Sequence, residues 1–412
     1  MKPNAASDEP LALQRVFRDE WSRVVAVLAR SFHDLDLAED AAQQAFAEAA
    51  ASWPATGIPR SPGAWVTAVA RRRAIDRVRR ESTRDAKQLL AVRSASIDTW
   101  PDFDLGGESV DDDVLRLVFM CCHPALAPPA QVALTLRLVA GIETTAIARA
   151  FLVSESVMTQ RIVRAKRKIR AANIPFRMPE DAQLPDRLAS VLAVIFLAFN
   201  EGYIAAGGDR LDRPDLCEEA IELARLVVRL MPDEPEARGL LALLLFTSSR
   251  RRARVAADGS LIVLAEQDRG RWDHELIDEA AVLLRSCLRQ GRAGHYQLHA
   301  AITAVYTEAT TFAATDWHQI LALYDHLLLI APTPVVALNR SVALAEVEGP
   351  EAALMALAEL DLDHYYLWHA IQAELLLRCG RDDAAALEFE RALQLTDNPA
   401  ERRHLQRRAH RR

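Results

Sequence analysis

The sequence has few cysteines and no long apolar run. Five cysteines occur among 412 residues and none forms a C-x-x-C pair, so a disulfide framework is not expected. No stretch approaches the roughly 18 uncharged apolar residues of a membrane-spanning helix, and the N-terminus lacks the apolar core of a signal peptide. We therefore expect a cytoplasmic protein with reduced, mostly buried cysteines.

The motifs of common enzyme classes are also missing. The sequence contains no glycine-rich phosphate loop, no nucleophile motif and no paired carboxylates with a defined partner. Cys121, Cys122 and His123 are adjacent, but three neighbouring ligands on one turn cannot easily surround a tetrahedral ion, and no second cluster accompanies them. We therefore expect no bond chemistry, no metal and no cofactor.

The negative charge of the chain is concentrated in its second part. The formal net charge is −7, yet residues 1–170 contain 24 Lys and Arg against 21 Asp and Glu, and residues 171–412 contain 26 against 36. The two parts therefore carry net charges of +3 and −10. An anionic partner should meet the first part.

Apolar residues recur at three- and four-residue steps along almost the whole chain, which predicts an all-α protein. Residues 96–113 contain seven carboxylates and no Lys or Arg, a composition typical of an exposed linker. Prolines within residues 173–186 indicate a second boundary. The sequence thus predicts helical domains at 11–92, 114–175 and 187–398, with a flexible acidic linker at 93–113.

A fixed spacing of residues recurs within the predicted domain at 187–398. Its members are separated by four, three and five residues, which is typical of the second helix of a tetratricopeptide (TPR) unit. Two copies lie 100 residues apart, close to three TPR periods of about 34 residues. The copies are Ala220, Ala224, Val227 and Pro232; Ile320, Tyr324, Leu327 and Pro332; and, in weaker form, Ala385, Phe389, Ala392 and Asp397. We expect a divergent array of TPR-like helical hairpins.

A first basic segment spans residues 65–84, with seven arginines and two acidic residues. An isolated charge run is usually a solvated helix face. Here Trp53 and Trp65 bracket the preceding loop, and arginines beside aromatic rings suit melted or single-stranded nucleic acid, although each tryptophan alone would fit a core position. One helical stripe contains Arg73, Arg77, Arg80 and Arg84.

A second basic segment spans residues 137–170, with eight basic and two acidic residues. Thr144 is expected to cap a short helix and Ser154 a longer helix beginning at Glu155. Two helices with so short a turn predict a helix-turn-helix, whose second helix reaches base edges with its first residues and phosphates with its later basic ones. A helical hairpin without DNA contact is the alternative.

Taken in order, these segments resemble a bacterial sigma factor of the extracytoplasmic-function class (group IV), in the subgroup with a large TPR-like C-terminal extension. Residues 32–53 resemble the segment that binds the clamp helices of the largest RNA polymerase subunit. Residues 61–81 resemble the −10 recognition and melting segment, and residues 131–170 the −35 domain. The resemblance covers about residues 11–175.

This resemblance implies that core RNA polymerase, through its clamp helices and flap, and promoter DNA are partners. It assigns the polymerase contact to Asp36, Glu39, Asp40, Gln43, Gln44 and Phe46. It assigns the −10 contact to Arg60, Ser61, Trp65, Arg71, Arg72, Arg73, Arg77, Arg80 and Arg84. It assigns the −35 contact to Ser156, Thr159, Gln160, Arg161, Arg164, Lys166, Arg167 and Lys168.

The C-terminal extension is expected to modulate this activity in cis, and the sequence leaves open whether it binds a regulatory protein or a small molecule. A helix-turn-helix regulator with a TPR sensor, which binds duplex DNA without polymerase, is the main rival. It leaves the first hundred residues unexplained. A TPR scaffold whose basic helices bind acidic proteins is a third alternative.

Overall fold

The computed structural model describes residues 9–86, 107–151, 153–203, 214–254, 256, 261–396 and 398–410. These residues form 18 α-helices and three short 3₁₀ helices, and the described ranges contain no β-strand. The predicted all-α class is confirmed. The chain divides into two compact units, Met1–Val194 and Ile195–Arg412.

The N-terminal unit contains α1 (Glu9–Phe32), α2 (Leu35–Thr56), α3 (Pro62–Ala86), α4 (Gly107–Cys121), α5 (Pro128–Leu138), α6 (Thr144–Ala150) and α7 (Glu155–Ala171). It also contains the first part of α8 (Leu184–Tyr203). Asp34 begins α2 because its side chain accepts hydrogen bonds from the backbone N–H groups of Asp36 and Leu37 at 2.8 and 3.0 Å.

An aromatic cluster lies at the centre of this unit. Trp21 is 1% exposed and packs against Phe17 and Phe46, with ring centroids 5.0 and 5.8 Å away. Its Nε1 donates to the carbonyl oxygen of Leu138 at 3.1 Å. Gly141 has a φ of +73°, and a Cβ there would lie 2.9 Å from Phe17 and Trp21. Helix α1 therefore docks directly on α5 and the turn after it.

The predicted linker at 93–113 extends too far, because α4 already begins at Gly107. Val110, Val114, Leu117 and Cys121 follow steps of four, three and four and are all buried. The acidic composition hid this helical stripe. Asp113 is 0% exposed and pairs with Arg30 at 3.0 Å and Arg116 at 2.6 Å. Residues 93–106 of the predicted linker lie outside the described residues.

The C-terminal unit continues from α8 with α9 (Pro214–Leu230), α10 (Pro235–Ser249), α11 (His274–Leu288), α12 (His295–Glu308) and α13 (Trp317–Ile330). It ends with α14 (Pro334–Val347), α15 (Pro350–Ala358), α16 (Tyr366–Arg378), α17 (Asp382–Leu395) and α18 (Pro399–His410). Neighbouring helices of this series pack against each other along the chain.

The three copies of the spaced pattern fall on α9, α13 and α17, and their helical members are all buried. Asp397 lies outside the described residues. The division between the two compact units follows Val194, inside α8. The helical region also continues past residue 398, because Leu405 of α18 packs into one cluster with Phe389.

Candidate nucleic-acid and polymerase interface

The first basic helix, α3, begins at Pro62 and packs an apolar stripe inward. Val66, Ala70 and Ala74 of this stripe are completely buried, and they recur every four residues, as one face of a helix requires. Most of the arginines consequently lie at the exposed or half-exposed side. The helix also carries Arg84, whose side chain lies outside the described residues.

Two of these arginines form ion pairs with α2. Arg73 contacts Glu48 at 2.6 Å, and Arg77 contacts Asp40. The hydrogen bond to Glu48 raises the pKa of Arg73. Arg80 donates through its Nε to the carbonyl oxygen of Asp76 at 3.1 Å. The remaining predicted residues of α3 differ in burial: Arg72 is exposed and Arg71 is half-buried.

The loop between α2 and α3 is flanked by two indole rings. The rings of Trp53 and Trp65 meet edge to face, with centroids 5.4 Å apart. Trp53 is buried, as its core interpretation requires, whereas Trp65 is half-buried. Arg60 and Ser61 are exposed at the end of the loop. The structure therefore brings the predicted −10 residues Arg60, Ser61 and Trp65 to one edge of the helical core.

The residues predicted to contact polymerase on α2 have three different environments. Gln43 and Gln44 are exposed, and Asp36 and Asp40 are half-buried. Phe46 belongs to the aromatic cluster around Trp21, so its side chain is not part of the surface. The family resemblance assigns Phe46 to the polymerase contact, but its ring packs into the core of the unit.

The second basic helix, α7, begins as predicted. Ser154 lies at its N-cap and accepts a hydrogen bond from the backbone N–H of Val157 at 3.3 Å. Helix α6 starts at Thr144 itself, one residue before the predicted start. Arg161 is half-buried over the ring of Phe151, at 5.9 Å. The exposed predicted −35 residues are Ser156, Thr159, Gln160, Arg164, Arg167 and Lys168.

Lys166 differs from the rest of this group because its side chain is 8% exposed. Its Nζ contacts Glu39 of α2 at 2.5 Å and Asp36 at 2.8 Å. Glu39 is also buried, and its second carboxylate oxygen contacts Nε of Arg137 on α5 at 2.5 Å. Burial disfavours the ammonium group, but the two carboxylates outweigh this and raise the pKa of Lys166.

This cluster of buried charges was not predicted from the sequence. A local signal existed, since Ile162, Lys166 and Ile169 follow steps of four and three residues and all three are buried. The predicted inner stripe placed Ala165 beside Ile162 and Ile169 and left Lys166 on the DNA side. The carboxylate partners lie more than a hundred residues earlier, where no local pattern connects them to α7.

Neither a metal centre nor a membrane span is found in the parts of the chain that the structure describes. No group of three or more His, Cys, Asp or Glu there could hold a metal ion. Cys121 and Cys122 are buried, and burial raises the pKa of the Cys122 thiol to about 12. None of the described helices is both long and apolar enough to cross a bilayer.

Comparison with known proteins identifies the region that contains α2 and α3. Residues 16–84 match sigma-70 region 2. The chain therefore contains a sigma-70 region 2. Sigma-70 factors are transcription initiation factors and not enzymes, and region 2 supports RNA polymerase binding and promoter recognition. The match includes every residue predicted for the polymerase and −10 contacts.

The other matches of this chain have no assigned role. Residues 187–288 match a family of unknown function, DUF6596. An uncharacterized protein of Rhizobium meliloti (strain 1021) is 44% identical over 384 residues, which cover 92% of this chain and 90% of that protein. The similarity to this relative therefore extends over both units. No solved structure matches the chain significantly.

Proposed function

We propose that this protein is an extracytoplasmic-function sigma factor with a TPR-like C-terminal regulatory region. In this proposal, residues 11–92 bind core RNA polymerase and open the −10 region, and residues 114–175 read −35 DNA. The match of residues 16–84 to region 2 is the observation that carries the proposal. The polymerase clamp helices and flap and promoter DNA are the proposed partners.

The geometry of α3 supports a role in promoter melting. Its exposed arginines lie on the same helix as Trp65, whose ring is half-buried at the edge of the exposed loop. A flipped base costs a few kcal/mol to extrude, which stacking on an aromatic ring and contacts to its edge can offset. Arginine adds phosphate pairing beside that stacking surface.

The geometry of α6 and α7 supports a helix-turn-helix that reads DNA. Only four residues, 151–154, separate the two helices. Ser156, Thr159 and Gln160 are exposed in the first turns of α7, where a recognition helix meets base edges. Arg164, Arg167 and Lys168 follow on the exposed side, where they can neutralise phosphates.

The C-terminal region is proposed to modulate initiation in cis. The burial of equivalent positions on α9, α13 and α17 is what a stack of TPR-like hairpins requires. Residues 171–412 carry a net charge of −10, so they can compete with DNA for the basic helices of the first part. A fragment ending near residue 175 should then bind non-specific DNA better than the full chain at matched salt. Equal binding would contradict the inhibitory role.

Run-off transcription tests the proposed function. Purified core polymerase is combined with the full chain and a pool of promoters, with core polymerase alone as the control. Initiation that depends on the protein is the expected result, and the transcripts would identify the −10 and −35 sequences. Tight duplex binding without any initiation would instead favour a helix-turn-helix regulator that acts without polymerase.

A further inference from the structure

A cavity of about 300 Å³ lies near the end of the C-terminal unit. Its walls come from α14, α16, α17 and α18 and from the segment between α10 and α11. An apolar cavity of about 150 Å³ is enough to hold a benzene ring, so this cavity can hold a ring together with a short side chain. The apolar part of its lining includes Leu261, Val263, Ile371, Leu375, Phe389 and Leu405.

Residues 261–263, which line one side of the cavity, are tied to the rest of the unit by backbone hydrogen bonds. The backbone N–H of Ile262 donates to the carbonyl oxygen of Arg254 at 2.8 Å. Arg407 of α18 donates through Nη2 to the carbonyl oxygen of Leu261 at 3.3 Å. The opposite walls belong to helices that pack against each other. The cavity is therefore preformed, as ligand sites for small molecules usually are.

Polar side chains gather at one end of this apolar cavity, and two of the charged ones are compensated within the protein. Glu374 pairs with Arg408, whose Nε contacts the carboxylate at 2.5 Å. Arg378 contacts Glu346 at 2.6 Å. Because each of these charges already has an opposite charge beside it, neither selects the charge of a ligand.

Glu401 differs from these two residues because its partners are neutral. Its carboxylate accepts hydrogen bonds from the hydroxyl groups of Tyr366 at 2.5 Å and Thr396 at 2.6 Å. Within the part of the chain that the structure describes, no lysine or arginine forms an ion pair with Glu401. The two hydroxyl groups fix the orientation of the carboxylate and leave its negative charge uncompensated.

His404 lies on the same helix as Glu401 and also lines the cavity. Burial lowers the pKa of His404, so its ring is neutral at pH 7 and adds no positive charge. The described residues provide no hydrogen-bond partner for this ring, and a neutral imidazole offers one donor and one acceptor. The polar end thus combines one negative carboxylate with a neutral ring. Such an end attracts a cation and repels an anion.

We propose that this cavity is a binding site for a small apolar molecule that carries one protonated amine. The apolar body lies between Ile371, Phe389 and Leu405. The amine donates to the carboxylate of Glu401, which supplies the missing opposite charge. The inference goes beyond the proposed function and does not depend on it, since it concerns binding by the chain in the absence of polymerase and DNA.

Calorimetric titration of the full-length protein with three related probes tests the class of ligand. Phenethylamine, phenethyl alcohol and phenylacetate share an aromatic ring and differ in the charge of the polar group. Phenethylamine should bind about tenfold more tightly than the alcohol, as expected for one hydrogen bond between charged groups, and phenylacetate should bind most weakly. Equal affinities, a preference for phenylacetate, or no saturable binding of the amine would overturn the proposal.

Two variants locate the binding in the cavity. Glu401→Gln keeps the shape of the side chain and should lower the affinity for phenethylamine by about tenfold while leaving that for the alcohol unchanged. The matched control is Glu390→Gln, at an exposed glutamate of α17 outside the cavity, which should bind like the wild type. Ala370→Leu places extra volume at a half-buried lining residue and should abolish binding of both probes.

Thermal unfolding shows which variants are folded, and each folded variant decides by itself. Wild-type affinity for phenethylamine in folded Glu401→Gln would contradict the role of that carboxylate and overturn the proposed ligand class. Wild-type affinity in folded Ala370→Leu would place the binding elsewhere and overturn the site. An equal loss of affinity in the Glu390→Gln control would also overturn the proposal, because it would show a general effect of the negative charge of the unit.

Discussion

Helices α3 and α7 are both basic and both contact α2, but they use their charges differently. The α3 pairs, Arg73 with Glu48 and Arg77 with Asp40, lie at the surface. The α7 pairs of Lys166 with Glu39 and Asp36 include a buried lysine and a buried glutamate. Surface pairs are weak and screened by salt, so α3 can exchange its partners for phosphates readily. Lys166 can do so only if α7 separates from α2.

The difference shows that the number of basic residues on a helix does not identify its DNA-binding residues. Exposed positions such as Arg72 and Lys168 are free of the packing that encloses Lys166.

The largest effect is expected from breaking the buried ion pairs of Glu39 with Arg137 and Lys166. Glu39→Ala leaves Arg137 and Lys166 buried without their shared carboxylate and should lower the stability of the N-terminal unit by about 3 kcal/mol. Arg73→Ala, which breaks the surface pair between α3 and Glu48 of α2, should leave the unfolding midpoint unchanged. Urea denaturation of the full chain measures both. Similar losses in the two variants would remove the contrast between the helices.

A smaller effect is expected at the start of α7. Ser154→Ala removes the side-chain acceptor of the Val157 N–H and should cost about 1 kcal/mol of stability. Thr159→Ala, an exposed change within the same helix, is the control and should cost less. Thermal unfolding of both variants provides the comparison. An unchanged midpoint in Ser154→Ala would show that docking on α2 and α5, and not the cap, determines where α7 begins.

Lys166 and Lys168 should differ in their effect on binding to duplex DNA. Lys168 is exposed, so Lys168→Ala should reduce the slope of log affinity against log salt by about 0.9, the value for one phosphate contact. Lys166→Ala should leave the slope of the free protein unchanged, since that lysine already pairs with carboxylates. Titrations at several salt concentrations measure both slopes. A reduced slope in Lys166→Ala would mean that this side chain reaches DNA in the free protein.

The smallest effect concerns the influence of salt on the buried ion pairs of Glu39. Raising the salt concentration from 0.1 to 1 M should change the destabilisation by Glu39→Ala by less than about 1 kcal/mol, because buried charges are screened little. The same denaturation experiment, repeated at both concentrations, provides the value. Complete loss of the difference at high salt would place the pair in contact with solvent.

Local sequence patterns predicted the helices well and the contacts between them poorly. The cap at Ser154 and the buried positions of α9, α13 and α17 follow from spacing alone, because a helix repeats every 3.6 residues. The burial of Lys166 depends on a carboxylate far away in the chain. The residues before and after the predicted linker form one compact unit, which also depends on contacts between distant parts of the chain. Spacing contains no information about such partners.

The acidic stretch near residue 107 shows a second limit. Its composition predicted a linker, but the apolar stripe from Val110 to Cys121 packs into the core, and Asp113 is compensated by Arg30 and Arg116. Charge composition describes the solvent-facing positions and is misleading where a buried acidic side chain pairs with half-buried arginines. The apolar period was the more reliable signal at this position.

Promoter opening tests the central claim most directly, namely that exposed arginines of α3 act on melting DNA. Permanganate reactivity of unpaired thymines is measured with core polymerase and either the wild type or the variant Arg72→Glu/Arg80→Glu, which spares the arginines paired with α2. The account predicts open −10 DNA with the wild type, and closed DNA with the variant despite unchanged binding to core polymerase. Equal opening by the two proteins would contradict the account.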